Sequence, residues 1–214
     1  MSGAILFDLD GTLIDSVPTI VKCYIKVGNK MGVKVDAKLA HKIIGGSAEI
    51  TISRLFKRED IIQECSKMVR EEYSKIWKNE VKPYPDVYTT LEIIRRMGIR
   101  MAVISSNSRS MIEQVLQHFN FLSFMDTFVS NEEVKQGKPA PDIVLEAMKR
   151  LNVPAEKCVV VGDTLFDIES GKRAGTHAIL VVRKPICLAQ SKYIPDYVIS
   201  SLRDIISVIK NLVK

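Results

Sequence analysis

The sequence predicts an α/β protein: a doubly wound parallel sheet with a block of helices inserted after its first strand. Three observations predict it. From residue 83 onward, short apolar runs alternate with segments whose apolar residues recur at helical spacing, the pattern of a parallel sheet with helices on both faces. Residues 17–80 break that alternation and carry helical stripes with no strand pattern. The polar clusters Asp8-Leu9-Asp10, Ser105-Ser106-Asn107 and Gly162-Asp163 each close an apolar run, where open α/β sheets hold their ligands.

The elements follow in order. Ala4-Ile5-Leu6 starts the first strand. Asp8 and Asp10, spaced i, i+2, fall on one side of an extended backbone, and Gly11 lets the chain turn sharply. Val17, Ile20, Val21, Tyr24 and Val27 mark an amphipathic helix that Gly32 ends. Leu39, Ala40, Ile43 and Ile44 make a second apolar face, and Gly45-Gly46 interrupts it. Ile50, Leu55 and Phe56 continue in a third segment, and Ile62, Cys65, Val69, Ile76 and Trp77 in a fourth. These stripes read as packing within a helical bundle.

Pro83-Tyr84-Pro85 is a linker, and Asp86 is placed to cap a helix over Val87, Leu91, Ile94 and Met97. Gly98 stands at its C-terminal cap. Residues 99–104 form a strand ending in Ser105, and Ile112, Val115, Leu116 and Phe119 line the next helix. Strands at 127–129, 158–161, 178–182 and 197–199 alternate with helices at 141–151, at a segment ending near Gly175, and at 201–213. The division expected is a core of residues 1–15 and 83–214 and a helical unit of residues 16–82.

Composition narrows the class. The chain has 214 residues, 46% of them hydrophobic, enough for a packed core rather than disorder. No apolar run approaches the ~20 residues of a membrane span, and no signal-peptide pattern precedes the first strand. Cys23, Cys65, Cys158 and Cys187 are widely spaced with no C-x-x-C pair, as reduced cytoplasmic thiols are. The net charge of +6 is dispersed; it favours anionic substrates, and no recognition motif or basic aromatic stripe supports nucleic-acid binding. His41, His118 and His177 lack metal-ligand spacing and read as structural or surface residues.

Two acids at a strand's end repel unless a cation or a shared proton relieves them. A carboxylate that attacks a phosphoryl group meets the same repulsion, which an oxygen-ligated Mg²⁺ removes. Asp15 reads as a turn or cap residue, and Ser16 stands evenly between a cap and a functional role.

The motifs together resemble one family. Phe7-Asp8-Leu9-Asp10-Gly11-Thr12-Leu13 is similar to the first motif of the haloacid dehalogenase (HAD) superfamily. Ser105 at a strand end resembles the second, Lys138 in Gly137-Lys138-Pro139-Ala140-Pro141-Asp142 the third, and Val159-Val160-Val161-Gly162-Asp163-Thr164-Leu165-Phe166-Asp167-Ile168 the fourth. The resemblance spans the chain and implies a Rossmann-type core with a helical cap. It implies Asp8 as nucleophile and magnesium ligand. It gives Asp10 two roles, as proton donor and base and as a metal ligand through its main-chain carbonyl. Asp163 is the remaining direct ligand, and Asp167 belongs to the metal group by holding a metal-bound water or orienting Lys138. Ser105 and Lys138 bind phosphate; Ser106 and Asn107 are further candidates there. Gly46, in the Gly45-Gly46-Ser47 loop, is expected to close over the substrate. Four aspartates against one lysine and one divalent cation leave such a site negative, so one carboxyl is expected to stay protonated.

The implied activity is a Mg²⁺-dependent phosphatase for small phosphorylated metabolites, acting as a monomer or homodimer through an aspartyl-phosphate. Asp15-Ser16-Val17-Pro18 and Gly162-Asp163-Thr164 resemble phosphoglycolate phosphatases and related pyrophosphatases. Asp10 separates the chain from the family's dehalogenases and phosphonatases. Mutases resembling β-phosphoglucomutase carry an arginine where Ala48 stands, although Arg54 is nearby. A catalytically idle binding module is the other class, and the intact Asp8, Asp10, Ser105, Lys138 and Asp163 argue against it.

Overall fold

The computed structural model of the protein describes residues 3–183 and 192–212; Cys187 lies outside them. Its strands are β1 (Ala4–Phe7), β2 (Arg100–Ser105), β3 (Thr127–Ser130), β4 (Cys158–Gly162), β5 (His177–Val181) and β6 (Tyr197–Ile199). Its α-helices are α1 (Val17–Lys30), α2 (Ala37–Ile43), α3 (Ala48–Phe56), α4 (Ile62–Glu80), α5 (Val87–Arg96), α6 (Arg109–His118), α7 (Asp142–Leu151), α8 (Leu165–Arg173) and α9 (Ile205–Leu212). Among the described residues the strands form one sheet in the order β3-β2-β1-β4-β5-β6, every pair parallel. That is the doubly wound order, and its direction reverses between β1 and β4.

The strands' period of two sorts the core into two faces. Ile5 and Phe7 join Met101, Val103, Val159, Val161, Ile179 and Val181. Leu91 of α5, Ile112 of α6 and Ile209 of α9 belong to the same cluster. Ala4 and Leu6 join Ala102, Ile104, Cys158 and Val160 beneath Ile143, Val144 and Ala147 of α7. Ala178 and Leu180 pack on Ile168 of α8. Both faces are covered, so the central strands are apolar throughout.

Five helices lie between β1 and β2; the first four, α1 to α4, fall where the sequence pattern breaks, and they pack on one another. Glu72 of α4 ties the longest pair. Its buried carboxylate accepts Lys26 Nζ at 2.5 Å and Lys30 Nζ at 2.8 Å from α1, and those hydrogen bonds hold its pKa down to about 2. The two connections to the sheet run side by side. Asp15 N donates to Lys82 O, Tyr84 N donates to Leu13 O, and the Tyr84 hydroxyl donates to Asp15 Oδ1 at 3.2 Å. No helix among the described residues is long and apolar enough to cross a membrane.

Two local expectations change, and one open reading is decided. Asp86 occupies the N-cap position of α5 without capping it. Its carboxylate instead accepts both terminal nitrogens of Arg183 at 2.9 Å, the Ser201 hydroxyl and Leu202 N, because a charged guanidinium is the stronger partner. The last helix begins at Ile205, behind a short 3₁₀ turn at Leu202–Asp204 that Ser201 caps. Ser16 stands at the N-cap of α1 but does not cap it either; its hydroxyl is engaged by Asp10.

Candidate active site

β1 and β4 are neighbours in register, Phe7 beside Val161, so the residues that follow each strand meet at the sheet's reversal. Asp8 extends the ladder by donating its N–H to Val161 O at 2.8 Å. Asp163 follows Gly162 at the end of β4. The β1 loop then folds tightly: Leu13 N and Ile14 N both donate to Leu9 O, and Gly11 N donates to Ile14 O. Gly11 has φ +86°, and a Cβ there would overlap the Asp163 carboxylate. Only glycine lets the two loops approach so closely. The Thr12 hydroxyl faces Asp163 Oδ1 at 3.5 Å across the gap.

Lys138 reaches this point from the loop before α7. Its ammonium is fully buried. It donates to Asp8 Oδ1 at 2.7 Å, Asp167 Oδ1 at 2.7 Å and Ile104 O at 2.8 Å, which uses all three of its protons. Asp167, in the first turn of α8, spends its other oxygen on Thr164 N at 3.1 Å and the Thr164 hydroxyl at 2.6 Å. This reciprocal cap fixes its rotamer. Asp167 therefore orients Lys138, and Lys138 holds Asp8.

The electrostatics follow from burial. Desolvation raises the Asp8 pKa well above the ordinary carboxylate value; Lys138 opposes the shift, and Asp167, Asp163 and Asp10 add to it. Burial opposes the Lys138 charge too, but Asp167 and Asp8 outweigh it and lift its pKa above the ordinary value. Asp10 lies apart from that cluster. Its Oδ1 accepts the Ser16 hydroxyl at 2.6 Å and its Oδ2 accepts Asn107 Nδ2 at 2.5 Å. Desolvation raises its pKa as well, against the Ser16 hydrogen bond and Lys138.

Ser105 ends β2 and is buried; its hydroxyl oxygen accepts Asn107 N at 3.2 Å. The Ser106 hydroxyl donates to Gly45 O at 3.4 Å and so ties the inserted helices to the sheet. Gly45 has φ +125° and lies against Thr164, while Gly46 faces the Phe166 ring. A cavity of about 140 Å³ opens between these parts. Asp8, Asp10, Ser105, Ser106, Asn107 and Gly46 all line it. Lys138, Asp163 and Asp167 stand behind Asp8 rather than on its wall.

The donor set suits a hard divalent cation. Asp8, Asp163 and Asp167 each offer a carboxylate oxygen, mutually within 4.8 Å, and all three are buried. One ammonium does not balance three carboxylates, and Asp167 and Asp163 add to the rise that burial gives the Asp8 pKa. Carboxylate oxygens are the donors Mg²⁺ takes.

The cavity also recruits residues that the sequence pattern assigned to packing or left unassigned. Ile20, Tyr24, Ile44 and Val69 of the apolar stripes line it, as do Arg70 and Tyr73. Ser66, Val69, Arg70 and Tyr73 recur at three- and four-residue steps on α4, and that spacing is the one sequence signal for a shared face. Thr12 and Thr164, within the first and fourth motifs, hold Asp163 and Asp167.

Comparison with known proteins agrees with this arrangement. A phosphoglycolate phosphatase from Aquifex aeolicus is 32% identical, over 97% of this chain and 96% of that one. Pyrophosphatase PpaX from Oceanobacillus iheyensis is 29% identical, over 96% of this chain and 95% of that one. The crystal structure of a hydrolase from Pseudomonas syringae shares the fold with a TM-score of 0.87 at 19% identity, covering 99% of this chain and 100% of that one. Residues 5–181 match the family model of the haloacid dehalogenase-like hydrolases. With its motifs at the ends of β1, β2 and β4 of a doubly wound sheet, the chain belongs to the haloacid dehalogenase-like hydrolase family.

Proposed function

We propose that this hydrolase is a Mg²⁺-dependent phosphatase of small phosphomonoesters, with Asp8 as its nucleophile. One observation carries the reading. Two carboxyls, Asp8 buried and Asp10 half-buried, share a cavity but not a hydrogen-bond network: Asp8 is held by Lys138, and Asp10 by Ser16 and Asn107. That separation suits one carboxylate to attack and the other to move protons.

Lys138 fixes Oδ1 of Asp8, leaving the other oxygen to attack phosphorus. A P–O bond forms to Asp8 as the bond to the leaving alcohol breaks. Asp10, with its raised pKa, gives its proton to the departing oxygen. The aspartyl-phosphate is then hydrolysed when Asp10 takes a proton from water and that water attacks phosphorus, releasing phosphate and restoring Asp8. Ser105, with the main-chain N–H groups around it, binds phosphoryl oxygens. Mg²⁺ held by Asp8, Asp163, Asp167 and the Asp10 carbonyl would screen the negative charges of nucleophile and phosphate from each other.

The resemblance to phosphoglycolate phosphatases supports a small substrate, and the PpaX relatives support pyrophosphate as a second reading. Ala48 lines the cavity and Arg54 does not, which favours hydrolysis over a mutase's transfer to a second phosphate site. Residues 16–82 act as the cap in this reading. Buried Cys23, Cys65 and Cys158 are compatible with a cytoplasmic enzyme. The test is phosphate release from p-nitrophenyl phosphate, 2-phosphoglycolate and pyrophosphate, with Mg²⁺ and with EDTA. Turnover that EDTA stops and Mg²⁺ restores is expected; activity indifferent to chelation refutes the metal-assisted reading.

A further inference from the structure

Ser130 is a fully buried hydroxyl to which the chemistry above gives no part. It ends β3 beside Ser105, its neighbour in the parallel register. Its oxygen accepts Glu132 N at 3.1 Å, and its single proton goes to the main-chain oxygen of Asn107 at 2.7 Å. Ser130 is held in turn from outside the site. Its N–H donates to Glu133 Oε2 at 2.9 Å, while Arg109 and Arg150 pair with Oε1 of the same carboxylate at 2.7 and 2.9 Å.

Asn107 is thereby fixed on both sides of its main chain. Its N–H donates to Ser105 Oγ at 3.2 Å, and Ser130 holds its carbonyl. The side chain then reaches the β1 loop, where Nδ2 donates to Asp10 Oδ2 at 2.5 Å. Ser16, which donates to the other Asp10 oxygen, lies in the same loop only six residues on. It cannot by itself set the carboxyl relative to β2. Asn107 supplies that tie, joining Asp10 to the strand whose end faces the phosphoryl group. A carboxyl oxygen that accepts one N–H keeps a second lone pair, so the bond restrains Asp10 without blocking its proton transfer. Resting on the phosphatase reading, we propose that Ser130 and Asn107 are positioning residues for Asp10. Ser130 fixes the Asn107 main chain, and the Asn107 amide aims the Asp10 carboxyl at the departing oxygen, serving the proton transfer rather than the phosphoryl group.

The test exploits leaving groups. An alkoxide departs only with a proton, phenolate is helped by one, and p-nitrophenolate leaves as a stable anion. Wild type, Asn107→Ala, Ser130→Ala and Ser130→Thr are assayed with Mg²⁺ on 2-phosphoglycolate, phenyl phosphate and p-nitrophenyl phosphate. The parameter is kcat/KM, which covers the steps up to departure of the alcohol when that departure is irreversible. Asn107→Ala should lower it by about 10–100-fold for 2-phosphoglycolate, part of the ~10²–10⁴-fold that a positioned proton donor supplies. The loss should be smaller for phenyl phosphate and least for p-nitrophenyl phosphate. Ser130→Ala should give the same ranking at smaller amplitude, and Ser130→Thr, which keeps the hydroxyl, should recover part of it. If the Ser130 variants do not fold, the ranking in Asn107→Ala decides alone. Equal losses on all three esters make Asn107 a phosphoryl contact and overturn the assignment. So do wild-type values in Asn107→Ala, or a wild type that hydrolyses only the p-nitrophenyl ester and so lacks a working proton donor. If wild type hydrolyses none of the three, the phosphatase reading falls and takes this one with it; in every other case only the roles of Ser130 and Asn107 are at risk.

Discussion

Replacing Lys138 by methionine tests how the site is held together. Methionine keeps much of the stem's volume and removes only the ammonium, so packing is largely spared. Three acceptors lose their donor at once: Asp8 Oδ1, Asp167 Oδ1 and Ile104 O. Asp8, Lys138 and Asp167 are all buried, so bulk water is a poor replacement for the lost donor. Removing one partner of a buried ion pair costs ~3–5 kcal/mol, a large part of the ~5–15 kcal/mol that stabilises a domain.

The pH dependence has a definite sign. The Asp8 pKa is already raised by burial, and losing Lys138 raises it further. A carboxyl with a raised folded-state pKa favours the folded state most when protonated, and that advantage is lost as pH rises through the folded value. The deficit of Lys138→Met is therefore full at neutral to alkaline pH and shrinks as pH falls toward the ordinary carboxylate range. Urea denaturation in EDTA at several pH values measures it. A loss below ~1 kcal/mol, or one that does not change with pH, refutes the account of Lys138 as the buried counter-charge. Added Mg²⁺ should restore part of the loss, since a cation that binds only the folded state stabilises it by mass action.

Asp8→Asn should lower phosphate release by on the order of 10⁴-fold while circular dichroism stays native; near-normal turnover in a folded variant removes Asp8 as nucleophile. Gly46→Leu pushes against the Phe166 ring, 3.1 Å from an ideal Cβ, and into the cavity. It should cost about tenfold more kcat/KM for 2-phosphoglycolate than for p-nitrophenyl phosphate, and equal effects on both would make the loop a turn with no part in specificity.

Short-range chemistry determined much of this protein from the sequence alone. The apolar runs, the glycines at their ends and the proline linker depend on neighbours a few residues away, so β1, β2, β4 and the inserted helices were legible as pattern. Asp8 and Asp10 were conspicuous because a turn needs one such residue and the chain supplies two. Tertiary structure decided the rest, through contacts between residues far apart in the chain. Strand order sets Asp163 beside Gly11. It also makes Lys138 a fixed buried ammonium between Asp8 and Asp167, which the residue type alone does not dictate. Ser16 and Asp86 hold ordinary N-cap positions, yet each turns to a distant partner, Asp10 or Arg183, that offers a stronger hydrogen bond. Helical periodicity shows which face of α4 is buried, but not against what. Only the folded chain shows that the face carrying Val69 also carries Arg70 and Tyr73 into the cavity above Asp8.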